Sequence, residues 1–424
     1  LVFATVPDGT SGRVYARFRL GSDAVATTPV GHSDGGEVED YVATIYSTAD
    51  TAAKSAAKIA HQLGGGPSLN DSDNFGSALA PLGDLDGDGV VDLAIGAMGD
   101  DDGGSQSGAV YIAMMNADGT IKSYQRITKT TDNLPLGDYN YFGIAMANIG
   151  DLDRDGVVDL AVLGSKTGGA SDDSLHFLFL NADGTLKAHQ NTRLLIDSNI
   201  RPAFNSMAVI GDLDGDGAAE LAFGAPDDQV DGVYTGAVYV MFPNVDGSAK
   251  DWQRISHEIG GGPQLSANDF FGESVASIGD LNQDGVPDLA VGARGDDSLA
   301  SGSGAVHVLF MDRDGTAQGH HKISDPGTDG TALVSTDYFG SALYAVGDLN
   351  ADGTDDLVVG ASGDSTGAFD AGAAYVLLLE PDGTVRDYGK LASNLGGVPT
   401  LSQYDSFGYS VASLGDLNGD GEVD

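Results

Sequence analysis

A nine-residue acidic pattern, Asp-x-(Asp/Asn)-x-Asp-Gly-x-x-(Asp/Glu), begins at Asp84, Asp151, Asp212, Asp280, Asp348 and Asp416. Successive copies lie 67, 61, 68, 68 and 68 residues apart. A spacing this regular makes each period one structural unit that buries its apolar surface by stacking on its neighbours. The period is also too long for a helical-pair repeat, which runs to about 33–47 residues.

Within a period the order is fixed: a Phe-Gly pair, a short apolar stretch, the acidic loop, "DLAIGA" or a variant, a variable loop, another apolar run and a turn. The fourth copy reads "FFGESVASIGDLNQDGVPDLAVGARGDDSLASGSGAVHVLFMDRDGT", followed shortly by "HKIS". Its apolar runs are short, rich in Val, Ile, Leu and Ala, and bounded by Gly and Asp, which argues for strands over helices. Asp-Gly recurs between the last two runs at Asp118, Asp183, Asp246, Asp314 and Asp382, as a hairpin needing positive φ requires. The expected fold is all-β: a β-propeller of four-stranded antiparallel blades, with six motif copies in the chain. The third copy departs from the rest, with Asn205 after Phe204, a shorter interval and Glu220 closing its motif, so an irregular blade is expected there. "KIAHQ" at Lys58–Gln62 reads like the fourth-strand segments "QRITK" and "QRISH" and is expected to close the ring as an outer strand.

The acidic loop places side-chain oxygens at positions 1, 3, 5 and 9, with a turn-forming glycine at position 6. Carboxylates this close repel one another unless a cation sits among them. An all-oxygen set without His or Cys suits a hard ion taking six to eight ligands, Ca²⁺ ahead of Mg²⁺ or zinc. The first set is Asp84, Asp86, Asp88 and Asp92 with the Val90 carbonyl. The second is Asp151, Asp153, Asp155 and Asp159 with the Val157 carbonyl. The third is Asp212, Asp214, Asp216 and Glu220, and the fourth Asp280, Asn282, Asp284 and Asp288. The fifth is Asp348, Asn350, Asp352 and Asp356, and the sixth Asp416, Asn418, Asp420 and Asp424, making up to six Ca²⁺ sites. An EF-hand is excluded, because position 12 is Ile95, Val162, Phe223, Val291 or Val359 instead of a bidentate Glu, and the flanks read as strands. The third site is expected to be the weakest, with Asp88→Ala costing more stability than Asp216→Ala.

The chain has no cysteine, so disulfides and thiolate zinc sites are excluded. Its net charge of −43, against only 20 Lys and Arg, argues against nucleic acid as a partner. Six divalent ions would offset only a minor part of that charge, so most of the acidity belongs to a hydrated surface. The longest apolar run, "AAYVLLL" from Ala373 to Leu379, is far short of the ~18 residues of a membrane-spanning helix. The chain starts without Met and stops within a motif, so it is expected to be part of a longer protein, with any signal or anchor outside it.

Residues from about Lys58 to Asp424 resemble the FG-GAP repeats of the integrin α-subunit head and related bacterial surface proteins. Phe75-Gly76, Phe142-Gly143, Phe271-Gly272, Phe339-Gly340 and Phe407-Gly408 carry the first half of that signature. "GAM", "GAP", "GAR" and "GAS" at Gly96, Gly224, Gly292 and Gly360 carry the second, with Gly164-Ser165 a departure. The resemblance implies a seven-bladed propeller with calcium between the first and second strands of several blades, its seventh blade beyond Asp424 or absent. "RVYARFRL" and "SDGGEVEDYVATI" resemble the tail of a GEVED domain, a β-rich module of large secreted bacterial proteins, carried by Glu37, Val38, Glu39, Asp40 and Tyr41. The expected organisation is a partial, β-sandwich-like segment over 1–46, a linker over 47–57 and the propeller over 58–424.

Arg294-Gly295-Asp296 spells the tripeptide that integrins recognise, yet Met98-Gly99-Asp100 and Ser362-Gly363-Asp364 occupy the same place, so one arginine completes the word by coincidence. None of the eight histidines has metal-ligand spacing, no Ser, His and Asp arrangement recurs, and the histidines are expected on strands or the surface. No catalytic residue is assigned, and the expected function is non-enzymatic. It is a calcium-stabilised, monomeric, secreted or cell-surface bacterial module for adhesion or for recognition of a protein or glycan, through loops such as Gly99–Ser107 and Gly295–Ser303. The alternative is an accessory or substrate-binding module of an exported enzyme.

Overall fold

The computed structural model describes residues 12–21, 36–45, 56–59, 61–164, 174–193, 204–216, 218–244, 248–327, 333–350, 352–396, 398 and 400–412. β1 (Gly12–Gly21), β2 (Gly36–Ile45) and β3 (Ala56–Ile59) form an antiparallel sheet in that order. Lys58 and Ile59 of "KIAHQ" thus lie on the edge of this sheet, paired with the strand that carries the GEVED-like residues. Residues 47–55 of the expected linker lie outside the described residues, while Ala56 and Ala57 belong to β3.

Five four-stranded sheets follow, each a simple antiparallel meander. The first blade is β4 (Phe75–Gly83), β5 (Asp92–Ala97), β6 (Ala109–Met115) and β7 (Ile121–Ile127). After a one-turn helix, α1 (Lys129–Asp132), the second is β8 (Ala145–Gly150), β9 (Asp159–Gly164), β10 (Ser174–Leu180) and β11 (Leu186–Arg193). The third is β12 (Ser206–Gly211), β13 (Glu220–Ala225), β16 (Ala237–Pro243) and β17 (Ala249–Ser256), with a small hairpin of β14 (Gln229–Val230) and β15 (Val233–Tyr234) in its variable loop. The fourth is β18 (Phe271–Ser277), β19 (Leu289–Ala293), β20 (Ala305–Met311) and β21 (Ala317–Ile323). The fifth is β22 (Phe339–Gly347), β23 (Asp356–Ala361), β24 (Ala373–Leu379) and β25 (Val385–Ala392). The sixth copy begins on the same plan, with Phe407 bridged to Gly372 and packed into the fifth blade's core. Its acidic loop lies outside the described residues.

The burial pattern explains the sequence pattern. β5, β6, β13, β16, β19, β23 and β24 are buried at every residue, because both faces are covered by neighbouring blades or, on one face of the first and fifth blades, by the segments carrying Ile59 and Leu69 or Val398 and Phe407. Continuous apolar runs are what such strands require. The outer strands are mostly solvated, as in β7, where only Ile121 and Ile127 are buried. The core therefore lies between blades: one cluster joins Ile278, Val306 and Val308 of the fourth blade to Phe339, Leu357, Val359 and Tyr375 of the fifth. First strands line the axis, where Ser77, Ala145, Ser206, Ser274 and Ser341 surround a cavity of about 430 Å³.

Phe-Gly and Gly-Ala owe their recurrence to one contact. A Cβ on Gly292 would stand 2.0 Å from the Gly340 carbonyl oxygen of the next blade, and one on Gly96 would stand 2.2 Å from that of Gly143. Backbone meets backbone there, leaving no room for a side chain. Next to it, Phe339 bridges to Gly304 at the start of the preceding blade's third strand, so each blade grips the next through two strands.

The third blade is regular, against expectation. Gly272 and Gly340 take φ of 92° and 87°, and the first-strand register slips just after them. Asn205 is not among the positive-φ residues, so β12 pairs with β13 without that slip from Ser206 onward. Losing the glycine removes a bulge and leaves the blade intact. The Asp-Gly hairpins are also wider than a two-residue turn: Asn116 and Thr120 close the loop, Gly119 takes φ 81°, and the register shifts beside Met115. This is a three-residue loop with a glycine bulge, tightened by Asp118 accepting from Thr120 N–H at 3.0 Å.

Gly292→Ala is expected to destabilise the chain by roughly 1–3 kcal/mol, the range for overpacking a dense interior. Gly319→Ala, whose Cβ would meet only Phe310 at 3.8 Å, should stay within about 0.5 kcal/mol of the parent. Urea unfolding of both variants checks the contrast.

Candidate metal centres

The connection from first to second strand carries the acidic loop, and its glycines let the chain wrap round its own carboxylates. In the first blade Asp84 accepts from the Asp88 and Gly89 N–H groups at 2.9 and 2.8 Å, and Asp88 accepts from Val90 N–H at 3.0 Å. Asp92, at the start of β5, is fully buried and accepts from Leu85 and Met115 N–H, both at 2.9 Å. The same bonds recur around Asp151, Asp155 and Asp159, around Asp280, Asp284 and Asp288, and around Asp348, Asp352 and Asp356.

These loops bring three carboxylates together in each of three blades. Ligand atoms of Asp84, Asp86 and Asp92 lie within 4.8 Å of one another, as do those of Asp151, Asp153 and Asp159, and of Asp212, Asp214 and Glu220. The position-5 residues Asp88, Asp155 and Asp216 stand beside these groups, joined to position 3 through a lysine from the outer strand. Lys122 Nζ lies 2.7 Å from Asp86 and 2.6 Å from Asp88, and Lys250 repeats this at Asp214 and Asp216. In the fourth and fifth blades Asn282 and Asn350 take position 3, and each accepts from the position-5 N–H at 2.9 Å. Asp416, Asn418, Asp420 and Asp424 lie outside the described residues.

The electrostatics are those of a cage for a cation. Burial raises the position-9 carboxyls: Asp92 and Asp159 move up, Asp288 rises to about 6, and Asp356 and Glu220 to about 7. Hydrogen bonds from lysine hold Asp88, Asp155 and Asp216 below the usual carboxylate range. The third loop, doubted because its copy departs from the repeat, gathers the same three positions, although here Asp212 accepts from Gly215 N–H and Asp214 from Asp216 N–H. Glu220 Oε1 is buried with no hydrogen-bond partner, where Asp92 Oδ1 meets the Met115 N–H. A buried carboxylate oxygen without a donor is costly, and a metal ion among Asp212, Asp214 and Glu220 would satisfy it. The donor chemistry thus fits an oxygen-seeking ion such as Ca²⁺.

A second repeated set of charges sits at the opposite end of each blade and was missed in the sequence. The Asp just after the Gly-Ala strand, buried in the first, fourth and fifth blades and half-buried in the third, is paired with a cation near the end of the outer strand. The pairs are Asp100 with Arg126, Asp228 with Arg254, Asp296 with Lys322 and Asp364 with Lys390. Each cation lies opposite a third-strand Tyr or His in the ladder: Tyr111, Tyr239, His307 or Tyr375. In the second blade that place is held by His176, opposite Asn191. The signal was available, since Gly-Asp and the basic residue before Ile or Leu recur in register.

This set disposes of the Arg-Gly-Asp reading. Asp296 is only 2% exposed and is held by Lys322 and by the Ser298 N–H at 2.9 Å. Arg294 lies over the Phe270 ring at 4.7 Å and pairs with Glu273 at 2.9 Å. The buried histidines likewise fill the repeat's aromatic slot: His176 packs edge-on against Phe142 and His307 against Phe271, as Tyr375 does against Phe339. Burial pushes His176 down to about 4 and His307 to about 3.

The family model for the FG-GAP repeat matches residues 75–112, 204–241, 271–309 and 339–377, which are the inner three strands of the first, third, fourth and fifth blades. The chain carries FG-GAP repeats folded as blades of a β-propeller. Among curated proteins it is similar to integrin alpha-3 of Cricetulus griseus, 32% identical over 198 residues, covering 45% of this chain and 17% of the relative. Integrin alpha-5 of Xenopus laevis is 31% identical over 168 residues, covering 38% of this chain and 15% of the relative. Integrin alpha-PS2 of Drosophila melanogaster is 26% identical over 292 residues, covering 66% of this chain and 19% of the relative. The matched stretches thus span less than a fifth of each relative. No helix among the described residues is long and apolar enough to cross a membrane.

His307 yields a pH prediction. Its folded pKa lies below the unfolded value of about 6.5, so protons bind the unfolded chain preferentially and its contribution turns unfavourable as pH falls below 6.5. The charged or titratable groups around it are Lys322, Asp296, His320 and His321. His307→Tyr, which installs the residue found in three other blades, should gain on the order of 1–2 kcal/mol relative to the parent between pH 8 and pH 5. Urea unfolding at the two pH values measures it, and a pH-independent difference would contradict the assignment.

Proposed function

We propose that this chain is a calcium-stabilised, extracellular β-propeller module that serves adhesion or recognition of a protein or glycan. The single observation that carries the reading is the distribution of exposed apolar side chains. First strands start, and second strands end, at the same end of each blade; the acidic loops lie at the other. Tyr139, Val233, Tyr234, Leu299, Val334, Phe369, Tyr404 and Tyr409 are all exposed large hydrophobics on segments at the loop end away from the acidic turns. Phe369 and Tyr404 pack edge-to-face at 5.5 Å, and Tyr404 N–H donates to the Phe369 carbonyl, so two neighbouring connections form one raised patch. Exposed aromatics gathered on loops over a rigid scaffold are the usual material of a recognition face.

The similarity to integrin α-subunits supports an extracellular role, and the GEVED-like residues support a secreted bacterial source. On this reading Ca²⁺ is held by the carboxylates and asparagines of the six loops, with the Val90 and Val157 carbonyls, and its part is structural. The partner is an extracellular protein or glycan, and the chain acts without catalysis and as a monomer. A second reading, an accessory module of an exported enzyme, uses the same loop face for a substrate polymer.

The paired substitution Phe369→Ala and Tyr404→Ala is expected to reduce binding on an array of glycans and extracellular proteins at least tenfold while leaving the melting temperature unchanged. Undiminished binding by a folded double variant would move the recognition face elsewhere.

A further inference from the structure

The second residue of every outer strand faces the acidic loop of its own blade, and in the first four blades its identity follows that of loop position 3. Position 3 is Asp86, Asp153 and Asp214 in the first three blades, and the outer strand there supplies Lys122, Lys187 and Lys250, each contacting positions 3 and 5. In the fourth blade position 3 is the neutral Asn282, and the outer strand supplies the neutral Gln318, whose Nε2 donates to Asp284 at 2.5 Å. Over the ligand positions and this outer-strand residue, four carboxylates less one ammonium, or three carboxylates beside an amide, leave the same three negative charges; outside that set, Arg313 donates to the Gly285 carbonyl of the fourth loop at 3.3 Å. In the fifth blade Asn350 is neutral while the outer strand supplies the cation Arg386, which contacts Asp352 at 2.8 Å, so that loop departs from the match. Arg154 of the second loop is exposed and, among the described residues, makes no ion pair with this set.

Resting on the calcium reading above, we propose that in the first four blades this outer-strand residue is a charge-matching residue: with position 3 it forms an exchangeable pair, Asp with Lys or Asn with Gln, that holds those four loops at similar affinity for Ca²⁺. A divalent ion entering the loop meets the field of every charge within a few ångströms. An uncompensated change of one charge in direct contact with two ligands therefore shifts affinity by a large factor.

The test is calorimetric titration of the whole chain with calcium chloride, with ion-free melting as the check on folding. Gln318→Lys adds a cation beside three carboxylates and is expected to weaken one site at least tenfold. Adding Asn282→Asp to that variant rebuilds the arrangement of the first blade and should restore the affinity. Lys122→Gln should tighten one site by a similar factor. Calcium uptake with the same affinities in all three variants would overturn the proposal while leaving the calcium reading intact. Absence of calcium uptake by the parent chain at millimolar concentration would overturn both.

Discussion

The fold depends on one close approach: the backbone of each blade's Gly-Ala strand against the Phe-Gly backbone of the next. Because no side chain fits between Gly292 and Gly340, or between Gly360 and Gly408, the inner strands approach until their flanking apolar residues interlock. The phenylalanine beside each Phe-Gly glycine then reaches the preceding blade and meets a Tyr or His from its own third strand, as Phe339 meets Tyr375. Stability is thereby a property of neighbouring blades rather than of single ones, which is the physical meaning of a repeat that does not fold alone.

Charge is arranged round that apolar centre at both ends of the outer strand in the first, third and fifth blades. In the first blade Lys122 meets the acidic loop and Arg126 meets the buried Asp100, so one seven-residue strand fastens both connections of its sheet. The division of labour is spatial. The acidic end is rigid and polar, while the opposite end carries aromatic side chains on longer connections anchored by Asp228, Asp296 and Asp364. A recognition surface needs such a base, since loops hold a binding geometry only as well as their anchors do.

Much of this was legible in the sequence because period, apolar runs and acidic spacing are local patterns repeated six times. The loops could be read residue by residue, since alternate positions in a tight turn share one side. What escaped were relations between distant segments. Asp296 and Lys322 are 26 residues apart and gain meaning only when the ladder places them together. The same holds for Lys122 and Asp88. The third blade was misjudged for a different reason: Asn205 removes a glycine-dependent bulge, and a strand without a bulge still pairs. The Arg-Gly-Asp word was correctly set aside on repeat register, but its cause, the burial of Asp296, needed the fold.

The central claim is that the acidic loops are structural cation sites on which the rigidity of the blades depends. Its most direct test is differential scanning calorimetry of the chain in millimolar Ca²⁺ and in EDTA. Binding to the native state alone stabilises by RT ln(1 + [L]/Kd) per site, so several sites filled together should raise the melting temperature by many degrees and make it climb with calcium concentration. Superimposable transitions in calcium and EDTA would contradict the account.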